Sequence, residues 1–191
     1  MKPTDLLEIL ETAGKLKLTM RHCWIDGVRQ ESTAEHSWRL ALMAMLLKDE
    51  EELKDVDMDK VMEMCLIHDL GEAFTGDIPA FEKKDADTKT EVTLYEAWVE
   101  SFPAAQKKHW MNLLKEMEAL ETKEAQVYKA LDKLEALITH NESPISTWLP
   151  LEYDLQMTYG KDNMKCHPYF EKLRQAVDAW TNRKIETEKP E

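Results

Sequence analysis

At 191 residues the chain is long enough to bury a sizeable core within one domain. Its net charge of −13 sets up a field that repels nucleic acid and anionic membranes, and no run of about 18 apolar residues offers a membrane span. A small phosphorylated substrate is still admissible, provided that its pocket is locally positive.

Only 5 glycines and 7 prolines punctuate a chain rich in Leu, Met, Glu, Lys and Ala, a bias toward helix. The first helix is expected over 4–18, with Leu6, Ile9, Leu10 and Ala13 as its buried side. A polar loop is expected over 19–33. Ser32-Thr33-Ala34-Glu35 has the spacing of a capping box, and the helix it opens carries His36, Leu40, Met43 and Leu47 on one face. Asp57 starts the next helix, in which Val61, Met64, Cys65 and His68 share the inward face. Gly71 and Gly76 interrupt it, and residues 82–89 read as a solvated charged run. Helices follow at about 90–101, 104–119 and 122–140, then a partly helical 144–159 and a last helix over 168–184. No strand-type alternation or internal repeat stands out. The expectation is an all-α, single-domain helical bundle over 1–185, with a frayed tail at 186–191.

Cys23, Cys65 and Cys166 are odd in number and far apart, so a disulfide framework is not expected and a reducing cytoplasm is the default setting. The N-terminus turns amphipathic at once and lacks the apolar core of a signal peptide.

The sharpest chemical signal is His68-Asp69, inside Met64-Cys65-Leu66-Ile67-His68-Asp69-Leu70-Gly71-Glu72. Two polar groups on an apolar helix are unfavourable to bury unless each is partnered. A hydrogen-bonded core pair and a divalent metal both answer that need. His36 faces inward from another helix and could join the pair. Glu72 lies one helical turn beyond His68, where it could orient a water or take its proton. Arg21, Arg29, Arg39 and Lys133 are candidate phosphate partners, and Trp24 offers an aromatic face for a base or sugar. A structural ion pair is an equal reading of Arg39, and a core anchor of Trp24. His22, His109, His140 and His167 read as bystanders.

The order His36, then His68-Asp69, then Asp132 resembles the signature of the HD-domain metal-dependent phosphohydrolases. The strings Glu35-His36-Ser37 and His68-Asp69-Leu70-Gly71-Glu72-Ala73-Phe74-Thr75-Gly76-Asp77-Ile78-Pro79 resemble the branch that holds the YfbR-type 5′-deoxynucleotidases and related HD hydrolases. The resemblance spans roughly 15–160. It implies that His36, His68, Asp69 and Asp132 hold one divalent metal, which could be Mn, Co, Fe, Ni, Zn or Mg. It implies that Glu72 and Asp77 serve the attacking water and the substrate. It implies a homodimer acting on a small deoxynucleotide. The family places its substrate-selecting Arg and Trp next to each other, whereas here His22-Cys23 separates Arg21 from Trp24. Relatives with two metals add histidines between the doublet and the last aspartate, where this chain has only His109. Rival readings are a pyrophosphohydrolase or triphosphohydrolase acting on dNTPs or guanosine alarmones, and a non-catalytic, metal-stabilised interaction domain.

Overall fold

The computed structural model describes residues 1–189. Its helices are α1 (Pro3–Ala13), α2 (Thr33–Leu46), α3 (Met58–Ile67), α4 (Glu72–Thr75), α5 (Asp85–Glu100), α6 (Ala104–Ala119), α7 (Lys123–Glu142), α8 (Glu152–Thr158) and α9 (Pro168–Glu188). Strands β1 (Met20–Ile25) and β2 (Arg29–Ser32) form one antiparallel hairpin. The fold is all-α apart from that hairpin, as the composition implies. No helix among the described residues is long and apolar enough to cross a membrane.

The centre of the molecule is a three-way packing of α2, α3 and α7, with β1 laid against α7. Leu40, Ala44, Val61, Met64, Cys65, Leu131 and Leu134 are fully buried there. These positions recur at helical spacing, which turns one apolar stripe of each helix onto the other two. α7 is the axis of the bundle: it also contacts α6 and α9.

Several expectations are corrected. The segment 19–33 is a hairpin rather than a loop: Asp26 (φ 51°) and Gly27 (φ 66°) turn the chain in the left-handed region that favours an Asp-Gly pair between two strands. α1 ends at Ala13, and a single 3₁₀ turn over 14–17 follows it. Its expected inward residues Leu6 and Leu10 are exposed, because only Ile9 and Ala13 reach the core. Residues 85–89 are helical, since α5 begins five residues earlier than expected. The tail expected to fray from 186 is helical to Glu188, where the Glu188 carboxylate accepts from Ile145 N (3.1 Å) and pairs with Lys184. Residues 190 and 191 lie outside the described part.

Two caps hold the helices that carry the site. Asp57 accepts from Lys60 N at the start of α3 (3.2 Å). Ser32 and Glu35 form the expected capping box at the start of α2: Ser32 Oγ accepts from Glu35 N, and Glu35 Oε2 accepts from Ser32 N (2.9 Å). Arg29 donates to the same carboxylate (2.8 Å). With this partner and the two Ser32 donors, the Glu35 carboxyl titrates at about 2, below its ordinary value. Ser32→Ala should lower stability by about 1 kcal/mol, read as an earlier midpoint in urea unfolding. Unchanged unfolding would show that the box adds nothing to the fold.

Candidate metal centre and adjoining pocket

His36 stands on the first turn of α2, His68 caps the C-terminus of α3, Asp69 follows in the turn, and Asp132 lies midway along α7. The three-helix packing brings them to one point. His36 Nε2 and His68 Nε2 are 3.2 Å apart. Asp69 Oδ2 lies 2.9 Å from His68 Nε2 and 3.8 Å from His36 Nε2. Asp132 Oδ1 lies 3.4 Å and 3.9 Å from the same two nitrogens.

Each ring is held from behind. His36 Nδ1 donates to Glu135 Oε2, and His68 Nδ1 donates to the carbonyl of Cys65 (2.9 Å). A neutral imidazole that donates through Nδ1 keeps only a lone pair at Nε2. Two lone pairs therefore face each other across 3.2 Å, with two carboxylate oxygens beside them. Four acceptors converging on one buried point need a cation. A divalent metal fits this set of two nitrogens and two oxygens. The same demand appears in His36: burial and Arg21 oppose its charging, yet Glu135 and Asp132 push the imidazole up to about 9.

The carboxylates are matched by cations on their outer sides. Burial opposes ionisation of Asp132, but Lys129 and Lys133 hold it well below the usual range. Both lysines reach Oδ2, at 2.9 Å and 3.2 Å, which leaves Oδ1 for the centre. Burial likewise opposes ionisation of Asp69, and the His68 and His36 rings hold it low. Glu135 is fully buried, yet His36, Arg21 and Arg39 bring its carboxyl down to about 2. Arg39 Nε donates to Glu135 Oε1 (2.8 Å), and the guanidinium also meets Thr139 and Glu142.

A cavity of about 490 Å³ opens beside the centre, bordered by Asp69, Asp132, Glu72, Asp77, Arg21 and Lys133 among others. Glu72 and Asp77 stand there because α4 is one turn long. Gly71 lets it press against α5, where a Cβ would come within 2.8 Å of Glu91 Cγ, and Gly76 (φ 77°) ends it. Glu72 Oε2 accepts from Thr33 Oγ1 (2.9 Å). Burial, then the charges of Asp69 and Asp77, push the Glu72 carboxyl up to about 9. Asp77 is raised as well, mainly by burial.

Arg21 Nη1 lies 3.6 Å from Asp69, and its Nε lies 3.2 Å from Glu31. Neither its Nε nor the facing Glu31 oxygen has a hydrogen bond of good geometry. Lys133 donates to the Tyr159 hydroxyl (2.8 Å). The remaining candidates stand apart from the pocket. Arg29 is exposed and occupied by Glu35. Trp24 and Arg39 border a separate cavity of about 360 Å³ with Trp38 and Glu142. Arg39 is instead a positioning group for Glu135. Sequence reading passed over Glu135, Lys83, Lys129, His22, His140 and Glu152, all of them except Glu135 at the pocket wall. Glu135 could have been found three residues after Asp132, on the same helical face.

The model of the HD domain family matches residues 13–174, and the protein belongs to that family. The 5′-deoxynucleotidase HDDC2 of Dictyostelium discoideum is 29% identical over 180 residues, covering 90% of this chain and 89% of that protein. The human 5′-deoxynucleotidase HDDC2 is 28% identical over 181 residues, covering 92% and 85%. A crystal structure of a predicted metal-dependent phosphohydrolase from Magnetospirillum magnetotacticum MS-1 superposes with a TM-score of 0.80 at 27% identity, covering 96% of this chain and 95% of that one.

Glu135 is fully buried behind His36, so its contribution should appear in metal affinity. Glu135→Gln should weaken binding of Mn or Co 10–100-fold in calorimetric titration while helix content by circular dichroism is kept. Unchanged affinity would remove its assigned role behind His36.

Proposed function

We propose that the protein is a single-metal phosphohydrolase that converts 5′-deoxynucleoside monophosphates to deoxynucleoside and phosphate. The observation that carries this reading is the junction of centre and pocket: Asp69 and Asp132, two of the four converging acceptors, border a cavity that also holds Glu72, Asp77, Arg21 and three lysines, with His36 and His68 buried directly behind them. The names and identities of the two HDDC2 relatives support the substrate class.

A divalent metal held by His36, His68, Asp69 and Asp132 would supply the positive charge that polarises the phosphoryl group and acidifies water. The two imidazoles favour Mn, Fe, Co, Ni or Zn, with Mg a weaker fit. One ion per chain is the proposed stoichiometry. The second acid-and-histidine group, Glu31, His36 and Glu135, is filled by guanidinium groups: Arg21 faces Glu31 and Arg39 donates to Glu135.

The chain's own groups divide the remaining work. Lys129 and Lys133 bring positive charge to the wall where a phosphate would lie. Thr33 fixes the Glu72 carboxyl. Burial beside Asp69 and Asp77 keeps the Glu72 carboxyl protonated at neutral pH, and the positive charge of a divalent ion in the centre would lower it again and free the carboxylate as a base. Glu72 orients the attacking water and takes its proton. Water oxygen bonds to phosphorus, the P–O5′ bond breaks, and the proton returns to the departing 5′ oxygen. Asp77 adjoins Glu72 and raises its proton affinity.

Glu72 and Asp77 also argue against a purely structural metal site, since burying two extra carboxyls beside Asp69 is costly and holding a metal needs neither. A triphosphate substrate would want more free positive charge than the pocket offers. Lys83 is paired with Glu91 (2.6 Å), Lys129 with Asp132, and Arg21 with Glu31. The reading extends to a cytoplasmic homodimer. Its support is three free thiols and the exposure of Trp38 and Met45, two turns apart on one face of α2.

The test is a panel of nucleoside mono-, di- and triphosphates with Mn, Co, Mg and Zn, scored by the released product. Inorganic phosphate from deoxynucleoside monophosphates is expected, and its absence with every metal would overturn the nucleotidase reading. Glu72→Ala should keep the metal, measured by elemental analysis, and lose about 10²-fold or more in kcat. A metal-free variant, or one as fast as wild type, would show that Glu72 has another role.

A further inference from the structure

The pocket is longer than the chemistry at the metal centre requires. α7 runs along its floor, and six of its residues border it from one end to the other, Lys129, Asp132, Lys133, Ala136, Leu137 and His140. Asp132 and His140 are eight residues apart, about 12 Å along the helix axis. That span is comparable to a nucleoside monophosphate laid lengthwise. With the phosphate at Asp132, Lys129 and Lys133, the base falls at His140.

A cluster of polar groups waits at that end. His22 Nε2 lies 3.0 Å and His140 Nε2 3.5 Å from one oxygen, Glu152 Oε1. Glu152 is 3% exposed, and its other oxygen accepts from Leu149 N (2.6 Å). His22 Nε2 is buried, yet it has no hydrogen bond of good geometry. Its approach to the carboxylate is off-axis, so Oε1 keeps accepting capacity at the pocket wall. The Phe81 ring meets the His22 ring edge-on, centroids 5.5 Å apart, and is itself 40% exposed at the pocket. The end of the pocket thus combines an anionic acceptor, two imidazoles and an aromatic face.

We infer that this end is a nucleobase subsite in which Glu152 Oε1, flanked by His22 and His140, accepts a hydrogen bond from an exocyclic amine while Phe81 packs on the base. The subsite deepens the phosphohydrolase reading and rests on it. A carboxylate accepts and cannot donate. Adenine and cytosine carry an amine where thymine and uracil carry a carbonyl. The carbonyl would set two acceptors against each other in a desolvated pocket. The subsite therefore selects amino-bearing bases, and cytosine against uracil is the cleanest comparison because the two differ at that position in a ring of the same shape.

The experiment measures kcat/KM for dCMP and dUMP on the metal-loaded enzyme, with dAMP and dIMP as a second pair. Wild type should favour dCMP about tenfold or more. Glu152→Gln, which offers an amide donor in place of an acceptor, should bring the dCMP:dUMP ratio to one or below by raising the dUMP rate. Should that buried variant fail to fold, His22→Gln serves instead. Its side chain is 22% exposed at the pocket rim, and the ratio should fall about threefold. A ratio near one in wild type, or an unchanged ratio in a folded variant, overturns the subsite. Hydrolysis of 2-deoxyribose 5-phosphate by wild type separates the two readings. If it proceeds without base selection, only the subsite fails. If neither it nor any nucleotide is cleaved, the phosphohydrolase reading fails and the subsite with it.

Discussion

Two imidazole nitrogens held 3.2 Å apart with their lone pairs converging are the constraint on which this structure turns. Left alone they would repel, and two flanking carboxylates would add to the strain. The arrangement persists because each ring is anchored from the far side, His68 to the Cys65 carbonyl and His36 to Glu135. Glu135 is anchored in turn by Arg39, with Thr139 one turn along α7 donating to the same oxygen (2.9 Å). The buried network is thus charged in layers, acceptors at the centre, acids and cations behind. A cation at the centre completes it.

That requirement orders the packing of the helices. α2, α3 and α7 each deliver one ligand position, and α3 ends at His68 so that Asp69 can turn back toward the same point. Lys129 and Lys133 sit three residues before and one after Asp132, so both reach its outer oxygen from α7. An acid buried among helices is then tolerable, because its desolvation is offset by two ammonium groups that stay near the pocket rim.

The hairpin decides which of its side chains line the pocket. A strand alternates its side chains, so three successive residues should not border one cavity. Here the register of β1 against β2 is irregular between Met20 and Trp24, and such an irregularity re-aims side chains. Arg21, His22 and Cys23 all reach the pocket, while Trp24 falls on the far side with Trp38. The two residues that separate Arg21 from Trp24 are accommodated in this stretch. The pocket consequently has the carboxylates Asp69, Asp132, Glu72 and Asp77 at one end and the cluster of His22, His140 and Glu152 at the other, with α7 running between them.

The sequence by itself determined the helical class, the Ser32–Glu35 and Asp57 caps, and the inward faces of His36 and His68, because these depend on spacing within one element. The Asp26-Gly27 turn was also local, but a four-residue strand paired with a six-residue one leaves too short an alternation to stand out from a polar loop. Tertiary structure alone decided which charges meet. Arg29, Arg39 and Lys133 look alike along the chain. Packing pairs Arg29 with Glu35 at the surface, sets Arg39 behind Glu135, and brings only Lys133 to the pocket. His22, His140 and Glu152 lie on three elements more than a hundred residues apart at the extremes, and no local pattern relates them. Electrostatic partners act over a few ångströms of space, and only the folded chain sets those distances.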